Sequence, residues 1–230
     1  MTGAKRFPAA LVFDFDGLIL DTEAAEYTSI AAVFAEHGGT LGRGRWVEAI
    51  GRANPDGFWL DWLEADLGRP VNRDLLWIEQ RQRNDHQIRR LQVLPGVEQL
   101  LDQAAAAGVP CAVASSSRSR WVKPHLDRLG LLERFATVVV REDAANAKPA
   151  PDLYFVALDR LGVPPSAARH AVAFEDSHNG SRAAIDAGLT CIACPNSLTR
   201  ASDFSHAHHQ VASLSELTLD QLHDLITQPA

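Results

Sequence analysis

Two aspartates one residue apart close an apolar run near the start of the chain, in Phe13-Asp14-Phe15-Asp16-Gly17-Leu18-Ile19-Leu20-Asp21-Thr22-Glu23. Acidic residues often end strands, and Asp-Gly is an ordinary turn signal. A turn alone does not account for the spacing. The two-residue period of a strand puts Asp14 and Asp16 on one side, where their repulsion calls for a cation. The donors nearby are oxygens, with neither His nor Cys close in sequence, so the ion expected is a hard one such as Mg²⁺.

Three further polar sites fall where a sheet built from the other apolar runs would have its strand ends. Ser115, with Ser116 beside it, follows Cys111-Ala112-Val113-Ala114; Lys148 precedes Pro149; Glu175 and Asp176 follow Val172-Ala173-Phe174. Taken singly, Ser115 reads as a helix cap, Lys148 as a surface lysine and Glu175-Asp176-Ser177 as the start of a helix. Taken together they would gather carboxylates, a hydroxyl and an ammonium in one crevice, a set suited to phosphoryl transfer onto a carboxylate. An aspartate attacking a phosphate dianion at ~4 Å, with an effective dielectric near 20, meets roughly 8 kcal/mol of repulsion. That would slow the step about a millionfold unless cations cancel it. On this reading Asp14 is the nucleophile and Asp16 the general acid and later the base, while Asp176 and Glu175 help hold the metal. Ser115, Ser116 and Lys148 hold phosphate oxygens, and Gly17 lets backbone amides approach them with no Cβ in the way.

The elements that must position these groups follow from hydrophobic periodicity. Short apolar runs at residues 10–15, 110–115, 136–140, 171–174, 190–194 and 210–212 read as strands covered on both faces. Helical patterns at residues 95–107, 152–161 and 181–187 lie between them, each followed by a glycine. In the second of these, Leu153, Val156, Ala157 and Leu161 fall on one face. Alternation of this kind predicts an α/β core, a Rossmann-like parallel sheet with helices on both faces and its ligand site at the carboxyl ends of the strands. Residues 23–90 are helical in pattern and hold Trp46, Trp59, Trp62 and Trp77, which predicts an inserted all-α unit with a small core of its own. The expected division is therefore residues 1–22 with 91–230 as the catalytic core and 23–90 as a helical cap. Arg81, Arg83, Arg89 and Arg90, near its end, read as a solvated helix face.

Composition narrows the function. The 230 residues are 46% hydrophobic and 22% charged, which excludes disorder and fibrous classes. A net charge of −7 is the wrong sign for coating nucleic acid or an anionic membrane, so neither partner is expected. No apolar stretch near the N-terminus is long enough for a signal peptide or membrane span, and three cysteines cannot form a disulfide framework. A cytoplasmic location is expected, as a monomer with a dimer as the alternative.

Asp14-Phe15-Asp16-Gly17 with Leu20-Asp21-Thr22-Glu23, the Ser115 strand end, Lys148-Pro149 and Glu175-Asp176-Ser177-His178-Asn179-Gly180 together resemble the four signatures of the haloacid dehalogenase superfamily. More narrowly, the chain resembles its branch of phosphatases and β-phosphoglucomutases with an inserted helical cap, over residues 10–195. The resemblance implies an aspartyl-phosphate intermediate at Asp14. It implies Mg²⁺ on Asp14, the backbone carbonyl of Asp16 and Asp176, with Glu175 a ligand in some relatives and behind the ligands in others, and a cap that closes over a small phosphorylated substrate. The mutases carry a His where this chain has Glu26, an Arg where it has Asn54 and Lys-Asn where it has Arg118-Ser119. Dehalogenases lack an acid at the position of Asp16. Phosphate-monoester hydrolysis of a sugar or polyol phosphate is therefore expected, with a sugar phosphomutase as the alternative and a non-enzymatic phosphate-binding module behind both. Glu23, Arg52 and Asn54 are candidates for the leaving-group pocket. Cys191-Ile192-Ala193-Cys194 reads as buried thiols rather than a redox or zinc site, and His206, His208 and His209 as a solvated loop. His178, directly after the acidic pair, is expected either to touch the edge of the site or, on the milder reading, to hydrogen-bond behind the residues that do.

Overall fold

The computed structural model describes residues 7–51 and 54–227. Its centre is a parallel sheet of β1 (Ala10–Phe13), β2 (Cys111–Ala114), β3 (Thr137–Val139), β4 (Ala171–Glu175), β5 (Thr190–Ala193) and β6 (His209–Gln210), in the order β3-β2-β1-β4-β5-β6. Every residue of β1, β2, β4 and β5 is buried, as strands covered on both faces must be. Alternate side chains feed two apolar layers. Leu11, Phe13, Val113, Val172 and Phe174 face one, and Ala10, Val12, Ala112, Ala114 and Ala173 the other.

Between β1 and β2 the chain forms α1 (Thr22–Glu36), α2 (Arg43–Val47), α3 (Trp59–Leu67) and α4 (Arg73–Ile88). These helices bury a cluster of their own, including Ile30, Phe34, Trp46, Trp59, Leu63 and Leu76, joined by Leu198 from beyond β5. The sheet is covered by α5 (Val97–Ala107), α6 (Ser119–Arg128) and α9 (Leu219–Thr227) on its first layer and by α7 (Asp152–Arg160) and α8 (His178–Asp186) on its second. No helix among the described residues is long and apolar enough to cross a membrane.

In register, Phe13 lies opposite both Val113 of β2 and Phe174 of β4. The residues that leave these strands at their carboxyl ends, Asp14, Ser115 and Asp176, therefore emerge side by side. From β1 the strand order runs outward through β2 and β3 and then resumes on the other flank with β4. That reversal is the switch point where open α/β sheets hold ligands.

Three local readings are corrected. The first strand ends at Phe13 rather than at residue 15, because the chain turns: Ile19 N–H donates to Phe15 O, Gly17 N–H donates to Leu20 O, and Gly17 takes φ +85°. Asp16 thus lies in the turn, and the turn rather than the strand period brings it near Asp14. The last strand covers His209–Gln210 instead of residues 210–212. The helix expected at 181–187 begins at His178, since the Ser177 hydroxyl accepts from Gly180 N–H and caps it.

Candidate active site

Lys148 is the hub of the strand ends. It is 2% exposed, and its three ammonium protons have three oxygen partners: Asp14 Oδ1, Glu175 Oε1 at 2.6 Å and the Ala114 carbonyl at 2.7 Å. Its ammonium also stands 5.1 Å from the centre of the Tyr154 ring, and the Tyr154 hydroxyl donates to Glu175 Oε1 at 2.5 Å. The surface-lysine reading of Lys148 is thereby excluded.

Asp14, Glu175 and Asp176 each place a carboxylate oxygen within 4.8 Å of the others, and all three are buried. Burial pushes the Asp14 carboxyl up to about 8, with Glu175 and Asp16 adding repulsion and Lys148 opposing them. Burial likewise holds Asp176 well above the ordinary carboxylate range, reinforced by Asp14, Glu175 and Glu23 and opposed by Lys148. For Lys148 burial acts downward, but the ion pairs with Asp14 and Glu175 outweigh it and keep the ammonium protonated. Three carboxylates against one ammonium leave two formal negative charges in a buried cluster of oxygen donors, which matches a hard divalent cation in charge and donor type. The Asn196 amide donates to Asp176 Oδ2 at 2.7 Å, and a Cβ on Gly17 would stand 2.2 Å from that oxygen. Gly17 is required here by close packing as much as by its backbone angle.

Asp16 is held by neutral donors. Thr22 Oγ1 at 2.7 Å and Trp121 Nε1 at 2.8 Å donate to its Oδ1, and Ser117 Oγ at 2.6 Å and Ser115 Oγ at 3.5 Å to its Oδ2. Ser115 Oγ also accepts from Ser117 N–H, while α6 is capped at Arg118, so Ser115 is not its N-cap. Ser116 Oγ donates to the Gly51 carbonyl at 3.1 Å, and Asn179 Nδ2 to the Ile50 carbonyl at 2.8 Å. These two bonds dock the turn after α2 onto the strand-end loops.

A cavity of about 750 Å³ opens beside Asp16, between the strand ends and the α1–α4 helices. Glu23, Glu26 and Asn54 line it, with Trp77, Arg81 and Trp121. Burial holds the Glu23 carboxyl well above its usual range, with Glu26 and Asp16 adding to the effect. Burial also raises Glu26 to about 7, against the attraction of Arg81. Asn54 donates from Nδ2 to the Ala49 carbonyl at 2.9 Å. Arg52 lies outside the described residues. Arg81 departs from the solvated face expected of it, whereas Arg83 pairs with Glu36 at the surface.

Other expected features lie apart from this cluster. His178 bonds the Asp203 carbonyl through Nδ1 at 2.8 Å and packs against the His206 ring, whose Nε2 meets Ser181 Oγ. His208 Nδ1 accepts from Cys191 N–H. Among the described residues the acidic trio is the one cluster with metal-binding geometry. The cysteines are free, and burial pushes the Cys194 thiol up to about 11 and the Cys191 thiol higher still. Sequence reasoning gave no role to Ser117, Trp121, Tyr154 or Asn196.

An open parallel α/β sheet carrying a lysine-bridged acidic centre at its switch point defines an enzyme of the hydrolase type. The chain belongs to the haloacid dehalogenase-like hydrolase family, whose model matches residues 11–194. It is 39% identical over 216 residues to the putative phosphatase YhcW of Bacillus subtilis, covering 94% of this chain and 96% of that one. It is 30% identical over 223 residues to a probable pseudouridine-5'-phosphatase of Drosophila melanogaster, covering 91% of each. The crystal structure of CbbY from Rhodobacter sphaeroides in complex with phosphate superposes with a TM-score of 0.70 at 29% identity, over 91% of this chain and 96% of that one.

Proposed function

We propose that the chain is a Mg²⁺-dependent phosphatase that hydrolyses small phosphorylated sugars or polyols through an aspartyl phosphate. The observation that carries this reading is the Lys148 bridge between Asp14 and Glu175 beside Asp176, which confronts a carboxylate nucleophile with cationic charge inside a buried pocket. The phosphatase names of the relatives support it.

Asp14 is the nucleophile. Its carboxylate oxygen forms a bond to phosphorus as the bond to the leaving oxygen breaks, and Asp16 gives that oxygen its proton. Water then attacks the aspartyl phosphate, Asp16 takes the proton back, and inorganic phosphate leaves with Asp14 restored. Lys148 offsets the charge on Asp14 during attack, and Ser115, Ser116 and the amides beyond Gly17 serve the phosphate oxygens. Asp14, Asp176 and the Asp16 carbonyl would hold the metal, with Glu175 behind them because its Oε1 is occupied by Lys148 and Tyr154. Bound Mg²⁺ supplies neutralisation of charge on the transferring phosphoryl group. Residues 1–22 and 91–230 act as the catalytic core and residues 23–90 as a cap that closes the cavity, with Glu23 and Asn54 facing the leaving group.

The test is a panel of phosphorylated metabolites with Mg²⁺, followed by phosphorus nuclear magnetic resonance. Release of inorganic phosphate, abolished by chelator and by Asp14→Asn, is the expected result. Interconversion of hexose 1- and 6-phosphates with little free phosphate would replace hydrolysis by the mutase reaction.

A further inference from the structure

One of the four donors that hold Asp16 differs from the rest. Hydroxyls of Thr22, Ser115 and Ser117 can turn from donor to acceptor, whereas the indole of Trp121 can only donate. An oxygen facing an indole N–H cannot itself carry a proton toward that group without leaving the N–H unpaired. Oδ1, bonded to Trp121 at 2.8 Å, is therefore the anchored oxygen. Oδ2 meets serine hydroxyls, with the Ser115 contact the longest of the four at 3.5 Å.

The indole is in turn fixed by its own neighbours. His125 meets it edge to face at 4.6 Å, and the Arg81 guanidinium lies over it at 5.2 Å while also covering Trp77 at 5.6 Å. Trp121 belongs to α6 on the sheet, and Trp77 and Arg81 belong to α4. A chain of contacts thus runs from Trp77 through Arg81 and Trp121 to Asp16, from one wall of the cavity to the other.

We propose that Trp121 is a positioning residue that anchors Asp16 Oδ1 and so makes Oδ2 the oxygen that hands the proton to the leaving group, with Arg81 holding the indole in place. The inference rests on Asp16 being the acid–base group. As the phosphorus–oxygen bond to the leaving group breaks, the Oδ2 proton moves to that oxygen, the leaving group departs as an alcohol, Asp16 is left as a carboxylate and the phosphoryl group resides on Asp14. Proton delivery then depends on where α4 lies, because Arg81 travels with that helix.

The experiment compares kcat/KM for an alkyl ester, glycerol 3-phosphate, with that for 4-nitrophenyl phosphate, whose leaving group needs little protonation. Trp121→Phe keeps the aromatic ring and removes the N–H. The expected loss is about thirtyfold for the alkyl ester, within the range for one hydrogen bond to a charged group, and only about threefold for the nitrophenyl ester, whose leaving group needs little of the proton. Benzothienylalanine at position 121, which replaces the N–H by sulfur at equal shape, gives the same split and serves if the Phe variant folds poorly. Arg81→Met shows the same substrate dependence, and combining it with Trp121→Phe adds nothing further to the split. Equal losses on both esters, or full additivity in the double variant, overturn the proposal while leaving the phosphatase reading intact. Failure of the unsubstituted enzyme to release phosphate from either ester and from every member of the phosphorylated-metabolite panel overturns both.

Discussion

Asp14 and Asp176 illustrate how one backbone position can decide whether a cluster of charges works. Gly17 sits at φ +85° with Asp176 Oδ2 where its Cβ would be, so Gly17→Ala must displace that carboxylate as well as strain the turn. Gly38 has the same φ of +85° with nothing within 4 Å, and it isolates the backbone effect. Gly38→Ala is expected to lower stability by about 1 kcal/mol with activity retained, and Gly17→Ala to raise the Mg²⁺ concentration needed for half-maximal phosphate release by more than about tenfold. Melting curves and Mg²⁺ titrations of the two variants check this. Equal Mg²⁺ requirements would mean that Asp176 does not hold the ion. The carboxylates and Ser115 were legible from the chain because each closes or follows an apolar run, and Lys148 through the Lys148-Pro149 pair that stands between Ser115 and Glu175. Trp121 and Tyr154 were not. The buried residues of α6 are Val122 and Leu126, which leaves Trp121 looking like a surface aromatic, and the inward face of α7 buries Tyr154 and Leu158 beside the expected Leu153 and Ala157, with Val156 and Leu161 packed against it partly buried.

At the scale of elements, α1 and α4 form one wall of the cavity, and Gln80 donates to Ser29 Oγ in their buried contact. Glu26 on α1 faces the cavity with its carboxyl raised to about 7, chiefly by burial. A group whose folded-state pKa lies above its unfolded value of 4.5 binds protons more tightly when folded. Its contribution to stability is present below pH 4.5 and lost as pH rises through 7. Glu26→Gln removes that loss, so the variant is expected to gain on the parent by roughly 2–3 kcal/mol between pH 5 and 8, with no further change above that. Thermal melts of both proteins across this range measure the gap, and parallel curves would place Glu26 in a solvated environment. Helix and strand order was readable because Gly and Pro punctuate the apolar periodicities. The early end of β1 was not, since Phe15 continues the two-residue alternation of Leu11 and Phe13 past Asp14 and gives no sign that the chain turns back on itself after Phe13.

For the molecule as a whole, folding and the proposed metal binding draw on the same charges. Without a cation, burial of Asp14 and Asp176 works against the folded state once their carboxyls must ionise, because both are held above their unfolded values and Asp14 reaches about 8. The Asp14 contribution to stability is therefore present below pH 3.8 and lost as pH rises through about 8, and that of Asp176 is lost in the same direction. A divalent ion at this cluster would bind the ionised forms, competing with protons at low pH and relieving repulsion at high pH. Mg²⁺ should accordingly raise the melting temperature little at pH 5 and most near pH 8. At a concentration about 100 times the dissociation constant the gain is about 2.7 kcal/mol. Asp176→Asn removes one of the carboxylates whose repulsion the ion relieves. That variant should be more stable than the parent in chelator at pH 8 yet gain less from Mg²⁺. Calorimetric scans with chelator and with Mg²⁺ at the two pH values decide the matter, and a Mg²⁺ effect independent of pH would show that the ion binds away from this cluster.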